Sequence, residues 1–203
     1  MRTASMESLQ QENAMTELKE VRASTFMNGV NVGGIFDMID AVKTDPDLAT
    51  FRFRAANQWI QGGHNRSTIK DFYGQGAEDT SREKPFVFEA DEPAALLGKD
   101  KGANPVEFVL HALAGCLTTT VVYHAAARGM EIKAIDSKLE GDLDLRGFLG
   151  LSETVRKGYQ AVRVTMRIKS DVPADKLREL AEFSPTFDIV SKSLPVSVSV
   201  ETY

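Results

Sequence analysis

Residues 104–116 read NPVEFVLHALAGC and carry the strongest local structure signals of the chain. Asn104 can cap a helix, Pro105 suits its first position, and Glu107 stands where a carboxylate reaches back to the capping residue. A helix is therefore predicted to begin at Asn104. Apolar residues continue to Ala127, and Gly129 stands where a left-handed residue closes a helix, which predicts an end near Arg128. The apolar residues wrap most of the circumference, so burial is expected on nearly every side. A run of roughly 22 such residues is long enough to span a bilayer. Glu107, His111 and His124 interrupt it, however, and an alternating pattern follows Met130, which favours a core helix and no membrane partner.

Downstream, Glu131 to Leu145 and Gln160 to Lys169 alternate, the second with Val162, Val164, Met166 and Ile168 on one face, and two antiparallel strands are predicted. Gly147 to Gly158 forms an irregular link with a short helical turn. A second helix starts around Asp171, Pro173 and Asp175, carries Leu177, Leu180 and Ala181, and restarts at Ser184 and Pro185. Pro195 to Glu201 is a closing strand with Val196, Val198 and Val200 inward.

Upstream, Phe51, Phe53 and Ala55 alternate with Arg52, Arg54 and Ala56, which predicts a strand from Phe51 to Ile60. Gly62, Gly63, His64 and Asn65 turn the chain into a second strand, Arg66 to Phe72, and Pro85 to Ala90 is a third. Val32, Ile35, Phe36, Ile39 and Val42 predict an amphipathic helix over Asn31 to Lys43 that stops near Asp45 and Pro46. Residues 1–25 are rich in Ser, Glu, Gln and Thr and are expected to form a frayed or disordered arm. The expected organisation is residues 1–25 as arm, 26–50 as helical extension and 51–203 as one α+β domain. That domain has an antiparallel sheet of about six strands and two core helices. One such sheet does not cover a helix apolar on nearly all sides, and a homodimer is expected.

The formal charge of −5 and pI near 5.3 speak against a surface that tracks nucleic-acid phosphates. The polar start lacks a secretory signature, so a cytoplasmic location is expected. Cys116 is the only cysteine. It is a free thiol, a bridge between subunits or an inert core atom. His64, His111 and His124 have no metal-ligand spacing, and neither a metal nor a cofactor is expected. Gly62, Gly63, Gly74 and Gly76 fit turns rather than a phosphate loop. His111 lies one turn after Glu107 but about 140° from Cys116 around the helix, and His124 lies two turns beyond Cys116. Both histidines read as satisfied core or interface residues. Cys116 is too far from its own helix start to gain from that field, so a lowered thiol pKa calls for an Arg, Lys or protonated His brought from elsewhere.

The stretch from Asn104 to Cys116, with the order of elements over roughly 51–203, resembles the OsmC/Ohr superfamily. The resemblance implies an intertwined homodimer and a peroxidatic thiolate at Cys116. A second cysteine before a proline would resolve the oxidised thiol; Ser184 and Pro185 match that pair, so an external thiol reductant is implied. The family's glutamate directly follows the N-P pair, where this chain has Val106, with Glu107 next. The activating arginine matches His64 or Arg66, and Arg66, always charged, is the better match. Catalytic roles are thus expected for Cys116, Arg66 and Glu107, and substrate contacts for Phe108, His111 and Leu117. The implied function is a one-cysteine, thiol-dependent peroxidase that reduces organic hydroperoxides in an oxidative stress response. The alternative is a non-catalytic protein whose interface pocket, lined by Phe108, Leu110, Leu117 and Val121, holds a small apolar ligand. Another sulfur chemistry at Cys116 is a third reading.

Overall fold

The computed structural model describes residues 26–193 and 196–203, so the expected arm at residues 1–25 and the strand start at Pro195 lie outside the described residues. In chain order the elements are β1 (Phe26–Met27), β2 (Val30–Asn31), α1 (Val32–Thr44), β3 (Ala56–Gln61), β4 (His64–Ile69), β5 (Phe72–Gly74), β6 (Ala77–Asp79) and β7 (Phe86–Ala90). They continue with α2 (Pro105–Ala126), β8 (Ala134–Leu143), α3 (Leu145–Phe148), β9 (Tyr159–Lys169), α4 (Ala174–Ala181), α5 (Pro185–Ser193) and β10 (Val196–Thr202). The described residues form two compact units, one of residues 37–109 and one of residues 26–36 with the described residues from Leu110 to Tyr203.

In the unit of residues 37–109, β3, β4 and β7 form an antiparallel sheet, and β5 pairs with β6. Gln75 and Gly76, both at positive φ (52° and 79°), make the two-residue turn between β5 and β6, the geometry that matches strand twist in tight hairpins. The predicted strand from Phe51 begins only at Ala56. The rings of Phe51 and Phe53 gather on Phe72, with centroids 6.4 and 5.6 Å from it, and Arg54 grips Glu78 through two 2.7 Å hydrogen bonds. These contacts tie the segment to the β5–β6 hairpin and away from the sheet. The predicted strand from Arg66 to Phe72 likewise starts at His64 and breaks at Lys70 and Asp71. Asp91, 1% exposed, organises the loop before α2: it accepts the backbone N–H of Glu92 at 2.8 Å, of Lys99 at 3.1 Å and of Lys101 at 3.2 Å.

The start of α2 is the expected capping box. Val106 N–H donates to Asn104 Oδ1 at 2.9 Å, and Asn104 N–H donates to Glu107 Oε2 at 2.9 Å. Gly129, with φ 70°, closes the helix in the left-handed region as expected.

In the second unit, β8 and β9 are antiparallel in register from Ala134↔Lys169. On β9, Val162, Val164, Met166 and Ile168 are all buried, the predicted alternation. The last strand departs from an all-antiparallel sheet: β10 runs parallel to β9. Two helices intervene between β9 and β10, and such a crossover returns the chain in the same direction. The α+β class holds, while the six longer strands form two three-stranded sheets rather than one.

Within one chain α2 is buried along a stripe of Leu113, Leu117, Thr120, Val121 and Ala125, and on another side at Ala126, with Ala112, Gly115 and Tyr123 exposed. Burial on nearly all sides is therefore not met within one chain. By length and composition α2 is the one described helix able to cross a membrane, a test that core helices also pass. The 26–36 segment packs on its far end, where Val30, Val32 and Ala126 form a buried cluster with Met27, Ile35, Phe36 and Val122. Asn28 fixes this docking, since its Nδ2 donates to Met130 O and its Oδ1 accepts Ile132 N–H, each at 2.9 Å.

Candidate active site at Cys116

Four residues spaced by four make one polar ridge along α2 and its closing turn: Cys116, Thr120, His124 and Arg128. Residues at i and i+4 share a helix face, so these side chains stand one above the next. Opposite the ridge is the corner between α4 and α5, Glu182 to Thr186.

Ser184 is fully buried and caps α5: its Oγ accepts Phe187 N–H at 3.2 Å and its carbonyl accepts Asp188 N–H at 3.0 Å. Pro185 follows at the first helical position, where a missing N–H costs nothing. This cap brings the first turn of α5, whose N–H groups have no partner within the helix, to the half-buried Cys116 sulfur. Burial pushes the Cys116 thiol up. Hydrogen bonds from the Ser184 hydroxyl, from the Thr186 hydroxyl and backbone N–H, and from the Thr120 hydroxyl outweigh it and set the thiol below its ordinary value. Neutral donors at a helix N-terminus thus do what a cation was expected to do.

The other end of the ridge holds the same corner. The His124 ring stacks on Phe183, centroids 4.5 Å apart and planes at 22°. Arg128 Nη1 donates to His124 Nδ1 at 2.9 Å and to its carbonyl at 3.0 Å, and the guanidinium lies 5.8 Å from the Phe183 centroid. Burial first and the Arg128 charge second hold the His124 pKa down, so the ring is neutral and Nδ1 can accept.

The remaining site residues expected from sequence fall as follows. Arg66 Nε donates to Glu89 Oε1 at 2.6 Å, and His64 Nε2 lies 2.8 Å from Glu89 Oε2. Arg66, then His64, hold Glu89 below the usual carboxylate range. Glu89 stands directly across from Arg66 in the β4–β7 register, a partner that becomes visible only once the strand pairing is known. Glu107 is occupied with the capping box. Phe108 meets Phe88 edge-on at 6.1 Å and 82°. His111 is on the exposed side of α2, and Leu117 is fully buried in the core. Among the described residues, no three His, Cys, Asp or Glu side chains are grouped to hold a metal ion.

The family model for OsmC-like protein matches residues 98–202, more than half of the chain. The chain belongs to the OsmC-like family. Among solved structures it is similar to the OsmC-like protein of Mycoplasma pneumoniae, with TM-score 0.57 and 15% identity over 74% of this chain and 96% of that one. It is also similar to the organic hydroperoxide resistance protein OsmC of Legionella pneumophila, with TM-score 0.52 and 16% identity over 75% of this chain and 98% of that one. At these identities the likeness concerns the fold. No curated protein sequence matches. The matched segment of this OsmC-like chain contains Cys116, Thr120, Ser184 and Thr186, whereas Arg66 and Glu89 lie before it.

Proposed function

We propose that this OsmC-like protein is a one-cysteine, thiol-dependent peroxidase that reduces organic hydroperoxides in a cytoplasmic oxidative stress response, working as a homodimer. The observation that carries the reading is the set of hydroxyl and N–H donors on the Cys116 sulfur. The thiolate, not the thiol, is the nucleophile, and these donors favour it.

In the proposed reaction the Cys116 thiolate attacks the distal oxygen of the hydroperoxide. The S–O bond forms as the O–O bond breaks, and the departing alkoxide takes a proton to leave as an alcohol. Cys116 is left as a sulfenic acid. Ser184, which bonds the sulfur, carries no thiol, so an external thiol attacks the sulfenic acid, releases water and forms a mixed disulfide. A second external thiol then displaces Cys116 and leaves as an external disulfide. The exposed Ala112, Gly115 and Tyr123 on α2 support a second copy covering that face.

The reading is tested by adding one equivalent of cumene hydroperoxide to reduced protein and following intact mass with a sulfenic-acid trap. One trapped sulfenic acid per chain is expected, formed roughly tenfold or more faster than on free cysteine, given a depressed thiol pKa in a positioned site. Oxidation no faster than that of free cysteine would contradict the peroxidase and leave the apolar-ligand reading in its place.

A further inference from the structure

The donors on Cys116 come from a corner that makes only part of its own case for being there. Ser184 and Thr186 sit in the turn that opens α5, and the residue just before them, Phe183, is 59% exposed. Burial of that ring does not account for where it lies. Its neighbours on α2 and the turn that closes it do: His124 stacks on one face, and the Arg128 guanidinium is within cation–π reach. Arg128 in turn fixes the His124 ring by donating to Nδ1. The clasp and the thiol are therefore two ends of one ridge, at Cys116 and Thr120 on one side and His124 and Arg128 on the other.

We propose that Phe183, held by His124 and Arg128, is a positioning residue that seats the α4–α5 corner so that Ser184 and Thr186 face the Cys116 sulfur. Phe183 touches neither substrate nor sulfur in this role. It acts through the backbone it shares with Ser184, whose hydroxyl oxygen accepts Phe187 N–H and whose O–H is a donor to the Cys116 sulfur. The inference rests on Cys116 being the working thiol, but it concerns the thiol's ionisation and not peroxide turnover, so the two readings fail separately.

The test is the pH dependence of iodoacetamide alkylation of Cys116 in the full chain, run above pH 7, where His124, lowered from its ordinary 6.5, stays neutral. Thr186→Val removes one donor directly and sets the scale. Phe183→Ala, at an exposed position, is expected to raise the alkylation midpoint by roughly half a unit, about threefold less thiolate at a fixed pH below it. Phe183→Tyr keeps the stacked ring and is expected to restore the native midpoint. Arg128→Leu, which loses the grip on His124, should shift the midpoint in the same direction as Phe183→Ala. A midpoint unchanged in Phe183→Ala while Thr186→Val shifts it would overturn the proposal, as would Phe183→Tyr behaving like Phe183→Ala. Unchanged midpoints in all of the variants would overturn the donor reading as well.

Discussion

A Cys116→Ser variant consumes cumene hydroperoxide, in the presence of a dithiol reductant, no faster than buffer does. The expected loss is on the order of a thousandfold or more, the scale on which removing a nucleophile acts. Stability should hardly change, because the position is only half-buried and the serine oxygen can accept the same hydrogen bonds from Ser184, Thr186 and Thr120. A shift in unfolding free energy within about 1 kcal/mol is expected, as for substitutions that leave no cavity and no unpaired buried group. The assay follows hydroperoxide by coupled colorimetry and stability by urea denaturation on the same preparation. Retention of native turnover would place the chemistry elsewhere.

Leu117→Ala, one position along the same helix, should act in the opposite way. Leu117 has no exposed surface and shares the buried stripe of α2 with Leu113 and Val121. Truncating it removes methyl groups from a packed core and leaves a cavity, a change that costs about 2–5 kcal/mol. For a chain of this size that corresponds to a fall in melting temperature of roughly 4–20 °C. The effect falls on stability and not on substrate affinity, because a fully buried side chain does not face a ligand arriving from solvent. A melting temperature within a degree of native, with a raised KM, would put Leu117 on a pocket wall instead.

What could be read in the sequence follows from the range of the forces involved. The start of α2 is legible because Asn104 accepts Val106 N–H, Glu107 accepts Asn104 N–H and Pro105 has no N–H to satisfy, all within a single turn, and the alternation on β9 is legible because one face of that strand is buried. The segment from Phe51 to Ala55 is not, since its Phe and Arg alternation is met by Phe72 and Glu78, contacts made at a distance in the chain. The parallel setting of β10 is decided by the crossover through α4 and α5, which the strand's own residues do not encode. At the site, the cysteine and the Ser184–Pro185 corner are both visible as local features: a lone thiol and a helix cap. That the cap points at the thiol is tertiary information. The spacing of Cys116, Thr120, His124 and Arg128 by fours was the signal available in the sequence for a shared ridge. Glu89, the partner of Arg66, shows no such signal, because only the β4–β7 register sets the two opposite each other.

Neutral donors hold the Cys116 thiol below its ordinary pKa, and the alkylation rate of native Cys116 as a function of pH reads this directly. Burial raises the thiol and the hydrogen bonds lower it further than burial raises it. The midpoint should therefore fall below that of an unperturbed thiol, about 8.5, with the thiolate present above the midpoint and lost as pH falls through it. The same depression stabilises the native state above the unfolded thiol's pKa, a contribution that fades as pH falls through the native value. A midpoint below that of free cysteine under the same conditions is expected; a midpoint at or above it would mean that the donors from Ser184, Thr186 and Thr120 do not outweigh burial.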